Sequence, residues 1–233
     1  MYDLDTLTTV ILAGGKGTRL RSIINDRPKV MAPVNKKPFV FILLEQLLSF
    51  GVDKIIFSTG YMSKYIKEQI GNSYKGQEIL YSEESEPLGT GGAVHLASSR
   101  FPSKYFLILN GDNFVEYSLQ DFFDFHISSN SDASILTKKV NDARSFGSIS
   151  FDLNNQVESF KEKSDDPNPA YINCGVYLFT SHILDLLPNK KPCSLEYDFF
   201  PKLVSKKFKV FKTEGRHLDI GTPESYKTSE TFF

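Results

Sequence analysis

Cysteine is scarce in this chain, net charge is close to zero, and no long apolar run exists. The 233 residues hold two cysteines, Cys174 and Cys193, far apart and in no metal-ligand spacing, so both read as reduced bystanders. The formal charge is -1, from 27 basic and 28 acidic side chains. That balance supplies no global basic field to recruit nucleic acid, and any phosphate ligand must be held by local groups. Residues 1–9 are polar and acidic, and the apolar run after them is only Val10-Ile11-Leu12-Ala13. A signal peptide or a membrane span needs more, which points to a cytoplasmic protein with no membrane partner. Neither an internal repeat nor a low-complexity tract is visible.

What is present is an ordinary globular composition, 40% hydrophobic and 24% charged, in a length that suits one α/β domain over 1–233. Segments 8–13, 54–59, 78–81 and 105–110 read as strands. Between them 38–49, 63–70 and 91–98 read as helices, the first stopped by Gly51. Such alternation predicts a mostly parallel sheet with right-handed crossovers. From about residue 131 the pattern changes, and 133–139, 147–151, 157–160 and 172–179 read as strands with few helices between them. This half reads as an antiparallel or mixed addition to the same sheet, closing one side of a cleft. Phe122, Phe123 and Phe125 on one predicted helix read as core.

The most informative segment follows the first strand: Leu12-Ala13-Gly14-Gly15-Lys16-Gly17-Thr18-Arg19-Leu20. Its glycines leave backbone N–H groups uncovered, in a turn able to form an oxyanion-binding nest. Arg19 adds a planar fork of donors suited to phosphate. A dinucleotide-binding turn would need a third glycine where Leu20 stands, and Ser58-Thr59-Gly60 offers no acid for a ribose. A Walker loop needs Ser or Thr after Gly-Lys, but Gly17 follows Gly15-Lys16. Taken alone, the cluster fits a plain tight turn equally well.

Arg27-Pro28-Lys29-Val30-Met31-Ala32-Pro33-Val34 comes next, then Lys37-Pro38. The prolines predict an extended segment from which Lys29 projects. Together, Gly-Gly-x-Gly-Thr-Arg-Leu and Pro-Lys-x-Met-x-Pro-Val resemble the signature of the sugar-phosphate nucleotidyltransferases. The resemblance covers nearly the whole chain, because five further blocks fall in the family's order. It implies an α/β, Rossmann-like three-layer fold with a mixed, mostly parallel central sheet. Its nucleotide-binding half would span roughly 1–130 and its sugar-phosphate half 131–233.

Each further block also has a reading of its own. Glu86-Pro87-Leu88-Gly89-Thr90-Gly91-Gly92 is a glycine-rich turn whose open backbone suits a flat base, or simply a helix start. The resemblance turns this loop toward the nucleobase. It gives the nucleotide Leu12, Ala13, Gly14, Gly15, Gly17, Thr18, Glu84, Glu86, Pro87, Gly89, Thr90 and Gly111. Asn110-Gly111-Asp112 ends a buried strand where α/β proteins bind ligands, and Leu218-Asp219-Ile220-Gly221 supplies a second acid. Two oxygen ligands suit Mg²⁺, although an Asp before a turn is more often a cap. The resemblance assigns Asp112 and Asp219 to the metal. Many family members carry Trp two residues before the second acid, where this chain has His217, a change read as altering packing rather than chemistry.

In the second half, Gly147 at a strand start permits close backbone approach to a ligand. Lys161-Glu162-Lys163 has the composition of a solvated face. The resemblance instead places Glu162 and Lys163 in the sugar-phosphate pocket with Gly147, Asn173 and, less firmly, Glu196. Residues 195–204 also read as a surface helix with acids at its N-terminus.

The implied reaction is attack by a sugar 1-phosphate oxygen on the α-phosphorus of a nucleoside triphosphate, with pyrophosphate leaving. Positioning and charge neutralisation do most of such work. The glycine nest and Arg19 hold the terminal phosphates, Lys29 balances charge on the α-phosphoryl group, and Lys163 holds the incoming phosphate. Asp112 completes this catalytic set by holding the metal. Residues 81–87 are acidic where thymidine- and uridine-using relatives often have Gln. A carboxylate matches the N1–H and N2–H₂ donors of guanine, which favours GTP, with Glu84 or Glu86 as reader. As plain loop acids the same residues need no ligand. The sequence looks most like the heptose-1-phosphate guanylyltransferases, which make GDP-D-glycero-α-D-manno-heptose for surface polysaccharide. The same residues serve a mannose enzyme, and thymidylyl, uridylyl or cytidylyl transfer stays open. A non-catalytic regulatory relative should lack Lys29, Asp112 or Asp219; all are present. A homo-oligomer is compatible with the sequence.

Overall fold

Successive residues of an extended apolar run point to opposite faces, so a strand that is apolar throughout must be covered on both sides. The first strand, β1 (Leu7–Leu12), shows the consequence: Leu7 and Ile11 enter one core and Val10 another. The computed structural model describes residues 2–144, 146–162, 168–188 and 191–233. After β1 come β2 (Pro33–Val34), β3 (Lys37–Pro38), α1 (Phe39–Ser49), β4 (Ile55–Thr59) and α2 (Ser63–Ile70). Then follow β5 (Ser73–Tyr74), β6 (Gln77–Glu83), α3 (Gly89–Arg100), β7 (Tyr105–Asn110), β8 (Asn113–Val115) and α4 (Leu119–Ser128). The second half holds β9 (Ala133–Val140), β10 (Ser148–Phe151), β11 (Val157–Lys161), β12 (Ala170–Thr180) and α5 (Ser181–Leu184). It closes with α6 (Phe200–Leu203), β13 (Phe208–Lys212), β14 (His217–Asp219) and α7 (Pro223–Thr228).

The main sheet runs β11-β10-β12-β7-β1-β4-β6-β5, with β9 against β12 and β13 beyond β9. Its centre, β7-β1-β4-β6, is parallel, and β12 joins β7 antiparallel. Residues of α1, α2 and α4 pack in the core on one face, and those of α3, α5 and α6 in the core on the other. This is the three-layer α/β arrangement with a mixed sheet that the sequence implies. Phe122 and Phe123 are buried in α4, and Phe125 packs on Phe211.

Local signals explain several ends. Gly51, at φ 75°, follows the last turn of α1. Ser118 caps α4 by accepting the Asp121 N–H at 3.2 Å, and Thr222 with Ser225 forms a capping box ahead of Pro223. β12 carries a bulge between Asn173 and Tyr177, with Gly175 at φ 73°. A Cβ at Gly175 would meet Asn110 and Asn113 at 3.1 Å, so the bulge presses β12 onto the end of β7.

Three expectations need correction. Lys29 does not project from an extended segment: Lys29–Met31 is a single 3-10 turn, closed by Ala32 N–H to Lys29 O at 2.9 Å. Pro28 remains extended at its start, and burial of Val30 and Met31 winds the turn. Residues 195–204 are not a surface helix. Leu195–Phe199 is a π turn leading into α6, and Leu195, Phe199, Phe200 and Leu203 are fully or nearly fully buried. Finally, α3 begins at Gly89 rather than residue 91, because the N–H groups of Gly91 and Gly92 reach the Cys193 carbonyl.

Phe123, fully packed edge-on against Tyr105 with ring centroids 5.3 Å apart, tests the core. Phe123→Ala is expected to lower unfolding free energy by about 3–5 kcal/mol in urea titration. A loss below about 1 kcal/mol would contradict this packing.

Candidate active site

In the parallel centre of the sheet, β1, β4, β6 and β7 end side by side: Leu12 pairs with Ser58 and with Asn110, and Thr59 pairs with Glu83. The loops after these strands enclose a cavity of about 830 Å³. Ligands of open α/β sheets bind at this edge. Leu12, Ala13, Gly14, Gly15, Gly17, Thr18, Arg19, Glu84, Glu86, Pro87, Gly89, Thr90 and Gly111 all line it, so every nucleotide candidate converges there. Lys29 and Asp112 line it too.

The glycine loop is held from behind. The Ala13 N–H donates to Ser58 O at 2.8 Å, Tyr61 N–H to Gly14 O at 3.1 Å, and Gly111 N–H to Leu12 O at 3.0 Å. Among the described residues, none accepts from the N–H groups of Gly14, Gly15 or Gly17. Those donors remain available to an oxyanion. Gly17 sits at φ 60° directly over Lys29, where a Cβ would lie 3.0 Å from the lysine's own Cβ.

Glu84 occupies the corner between three loops. Its Oε2 accepts the Leu88 N–H at 2.8 Å, its N–H donates to Thr59 O at 2.8 Å, and a Cβ at Gly14 would lie 2.7 Å from Oε1. Burial raises this carboxyl's pKa, against the Leu88 hydrogen bond. Glu86 is exposed on the same rim. The glycines beyond it also give room to a distant segment, and Gly89 lines the cavity as well. A Cβ at Gly89 would lie 2.6 Å from the Cys193 carbonyl oxygen and one at Gly91 3.1 Å from it. Gly91 and Gly92 are buried, and their lack of side chains admits the 191–193 segment.

The acids meet at the cavity floor. β8 and β14 pair antiparallel, with Asn113 opposite Asp219, and Ile220 N–H donates to Asp112 O at 3.0 Å. Lys29 Nζ forms a close ion pair with Asp112 and would stand 3.0 Å from a Cβ at Gly221. Burial pulls the Asp112 carboxyl up, but the Lys29 charge and hydrogen bond, with Asn113, hold it below the usual carboxylate range. Asp219 goes the other way: burial and the neighbouring Asp112 charge raise it to about 6. Asn113 Nδ2 donates to Asp112 Oδ1 at 2.8 Å, and its Oδ1 lies 3.1 Å from His217 Nε2. With Asn113 Oδ1 as acceptor, that Nε2 carries the proton. Burial, then Lys138, brings His217 down to about 4, so it is neutral near pH 7. It packs on Phe146 at 5.6 Å and also fixes Asn113, so its part is more than packing.

The sugar-phosphate candidates Gly147, Glu162, Asn173 and Glu196 do not themselves line this cavity. Gly147 accepts the Asn173 N–H at 2.9 Å, and a Cβ there would lie 2.7 Å from Glu162 Oε2. Asn173 Nδ2 donates to the Tyr177 hydroxyl at 2.8 Å, and Asn110 Nδ2 approaches the same hydroxyl at 3.5 Å. Glu196 accepts from Thr90, which lines the cavity. Lys163 lies outside the described residues. Asp219 does not itself line the cavity, but Gly221, whose N–H it accepts at 2.5 Å, does. Both cysteines are buried, and burial pushes the Cys174 thiol up to about 12, which suits an inert role.

Sequence reasoning missed Lys16, Tyr61 and Asn110 as lining residues. Asn110 was detectable, as a polar end to an otherwise apolar strand. Tyr61, under Arg21 at 4.9 Å, carried no such signal.

Comparison with known proteins agrees with this geometry. A family model described as nucleotidyl transferase matches residues 8–232. The D-glycero-alpha-D-manno-heptose 1-phosphate guanylyltransferase of Aneurinibacillus thermoaerophilus is 36% identical over 96% of this chain and 97% of its own length. The mannose-1-phosphate guanylyltransferase of Mycobacterium tuberculosis is 33% identical over 93% of this chain but only 62% of its own. The crystal structure of HddC from Yersinia pseudotuberculosis complexed with GMP-PN superposes with a TM-score of 0.86 at 37% identity, covering 97% of this chain and 99% of that one.

The raised Asp219 pKa sets a pH test. Folded, this carboxyl's pKa is raised to about 6, against 3.8 for an ordinary aspartate. The folded state therefore gains stability from this group at low pH and loses it as pH rises through about 6. Asp219→Asn should raise the melting temperature in chelator at about pH 8 and leave it unchanged at about pH 4. Equal shifts at both values would contradict the buried acid pair.

Proposed function

The chain belongs to the nucleotidyl transferase family, and we propose that it transfers GMP from GTP to D-glycero-α-D-manno-heptose 1-phosphate, releasing pyrophosphate and forming a GDP-sugar. The observation that carries this reading is the cavity in which free glycine N–H groups, Arg19, Lys29 and Asp112 converge. Two heptose 1-phosphate guanylyltransferases at 36% and 35% identity, each matched over nearly its whole length, support the substrate pair. Glu84 supports guanine. It is half-buried on the cavity wall and fixed by Leu88, and a carboxylate offers only acceptors. Those match the N1–H and N2–H₂ of guanine and repel the carbonyls of uracil or thymine.

Asp112 and Asp219 fit a divalent cation. They are hard oxygen donors, Asp112 just before β8 and Asp219 at the end of its partner β14, and a cation between them would relieve the burial and the Asp112 repulsion that raise Asp219. Bound there, Mg²⁺ would supply Lewis-acid polarisation and neutralise phosphate charge.

The chain's own residues do the rest. The N–H groups of Gly14, Gly15 and Gly17, with Arg19, hold the terminal phosphates and keep the leaving pyrophosphate in line. Lys29, anchored beside Asp112, offsets the charge that builds on the α-phosphoryl group. Gly147, Glu162 and Asn173 orient the sugar, and Lys163 holds its phosphate against repulsion by the triphosphate. The attacking phosphate oxygen is already anionic, so no general base is required.

Pyrophosphate release in Mg²⁺ tests the reading, with each nucleoside triphosphate crossed against heptose, mannose and glucose 1-phosphates. Release is expected with GTP and heptose 1-phosphate. Release with UTP, dTTP or CTP instead would overturn the guanine assignment, and none with any pair would overturn the reaction. Asp112→Asn, shown folded by circular dichroism, should lose about 100-fold or more in kcat. Glu84→Gln should lose about tenfold in kcat/KM for GTP and narrow the preference for GTP over UTP. An unchanged preference would remove Glu84 as reader.

A further inference from the structure

One side chain of the nucleotide loop reaches into the other half of the chain. Thr90 Oγ1 donates to Glu196 Oε2 at 2.9 Å and accepts the Leu195 N–H at 2.8 Å. Ser194 Oγ donates to the same Glu196 oxygen at 2.7 Å, and accepts the N–H groups of Glu196 and Tyr197 at 3.1 Å each. Alongside, Cys193 N–H donates to Leu88 O at 2.8 Å, and its carbonyl accepts from Gly91 and Gly92 at 2.8 and 3.3 Å. The π turn Leu195–Phe199 presents Glu196 from a rigid base, because Leu195 and Phe199 are sunk in the core. Local π geometry of this kind is often kept for a functional purpose.

The Glu196 charge also acts on Tyr177. Burial raises the Tyr177 hydroxyl well above its ordinary range, and the Glu196 charge adds to this, so the carboxylate lies within reach of that hydroxyl's field. Tyr177 in turn holds Asn173 at 2.8 Å and approaches Asn110 on the cavity wall. The backbone bonds between Cys193 and residues 88, 91 and 92 already fasten the segment to the loop. What the carboxylate adds is control over the Thr90 side chain, where the base loop enters α3.

We infer that Glu196 is a positioning residue for the nucleotide loop, holding Thr90 so that the loop's spacing from the glycine nest depends on the sugar-phosphate half of the chain. The inference rests on reading the cavity as the nucleotide site. Glu196 thereby gains a part beyond contact with a sugar hydroxyl: it couples the two substrate sites.

The experiment measures the dissociation constant for GTP by calorimetry, and the KM for the sugar 1-phosphate, in Thr90→Val, Glu196→Ala, Glu196→Gln and the double variant Thr90→Val with Glu196→Ala. Thr90→Val keeps the shape and removes the hydroxyl. Each of Thr90→Val and Glu196→Ala should weaken GTP binding about tenfold, and the double variant should weaken it no further. Glu196→Gln, whose amide oxygen still accepts from Thr90, should recover most of the GTP affinity. A bracket that mattered only for folding would lower melting temperatures and leave GTP affinity alone, which would overturn the inference. Glu196→Ala raising only the sugar KM, additively with Thr90→Val, would overturn it too. Both outcomes leave the cavity reading standing if the wild type binds GTP; a wild type that binds no nucleoside triphosphate removes both.

Discussion

Two carboxylates share one ammonium at the open end of the sheet, and much of the architecture follows from keeping them together. Asp112 sits just past β7 and Asp219 ends β14, so distant parts of the chain supply the two acids. The short β8–β14 ladder brings them side by side, and the 3-10 turn at Lys29 delivers the only cation bonded to either among the described residues. The nearby Lys29 and Arg19 charges do not offset the burial of both acids and their mutual repulsion. The imbalance appears as a split pair, Asp112 held down and Asp219 pushed up to about 6. Asn113 and His217 then fix the orientation of Asp112 from behind. On the proposed reading, surplus negative charge on hard oxygens is what a divalent cation would neutralise.

The loops around these acids are shaped by one another more than by local preference. Gly14 is small because Glu84 lies against it, and Gly111 because the Leu12 carbonyl would be 2.5 Å from a Cβ there. Gly89 and Gly91 are small because the Cys193 carbonyl fills the space a side chain would take. The two glycine-rich motifs thus differ in kind. The first leaves donors open to a ligand, whereas the second lets a distant segment brace the wall. The cavity keeps its width because Glu84 spans one corner and the 193–198 segment the other.

This contrast decides what was legible in the sequence. β7 and α2 were readable to the residue, because a continuous apolar run and a clean helical period each name one element. The cavity lining was readable for a different reason: most of the residues named for it lie in compact motifs that follow strands. The turn at Lys29 was not, since neighbouring prolines indicate extension and only the burial of Val30 and Met31 winds it. Nor was the π turn at Leu195–Phe199, whose apolar face acquires meaning only against α3 and α6. The purpose of Gly91 and Gly92 was hidden because the atoms they make room for lie about a hundred residues away. Sequence displays contacts between neighbours and motifs that act as units; clearance for a distant backbone leaves a glycine and no reason for it.

Crystals soaked with Mn²⁺ and a non-hydrolysable GTP analogue test the central claim most directly, since Mn²⁺ gives an anomalous signal and takes the same oxygen ligands as Mg²⁺. The account predicts one strong peak about 2.0–2.3 Å from a carboxylate oxygen of both Asp112 and Asp219, with the phosphates on the glycine loop and the base against Glu84. A metal bound away from both acids, or a nucleotide seated outside this cavity, would contradict it.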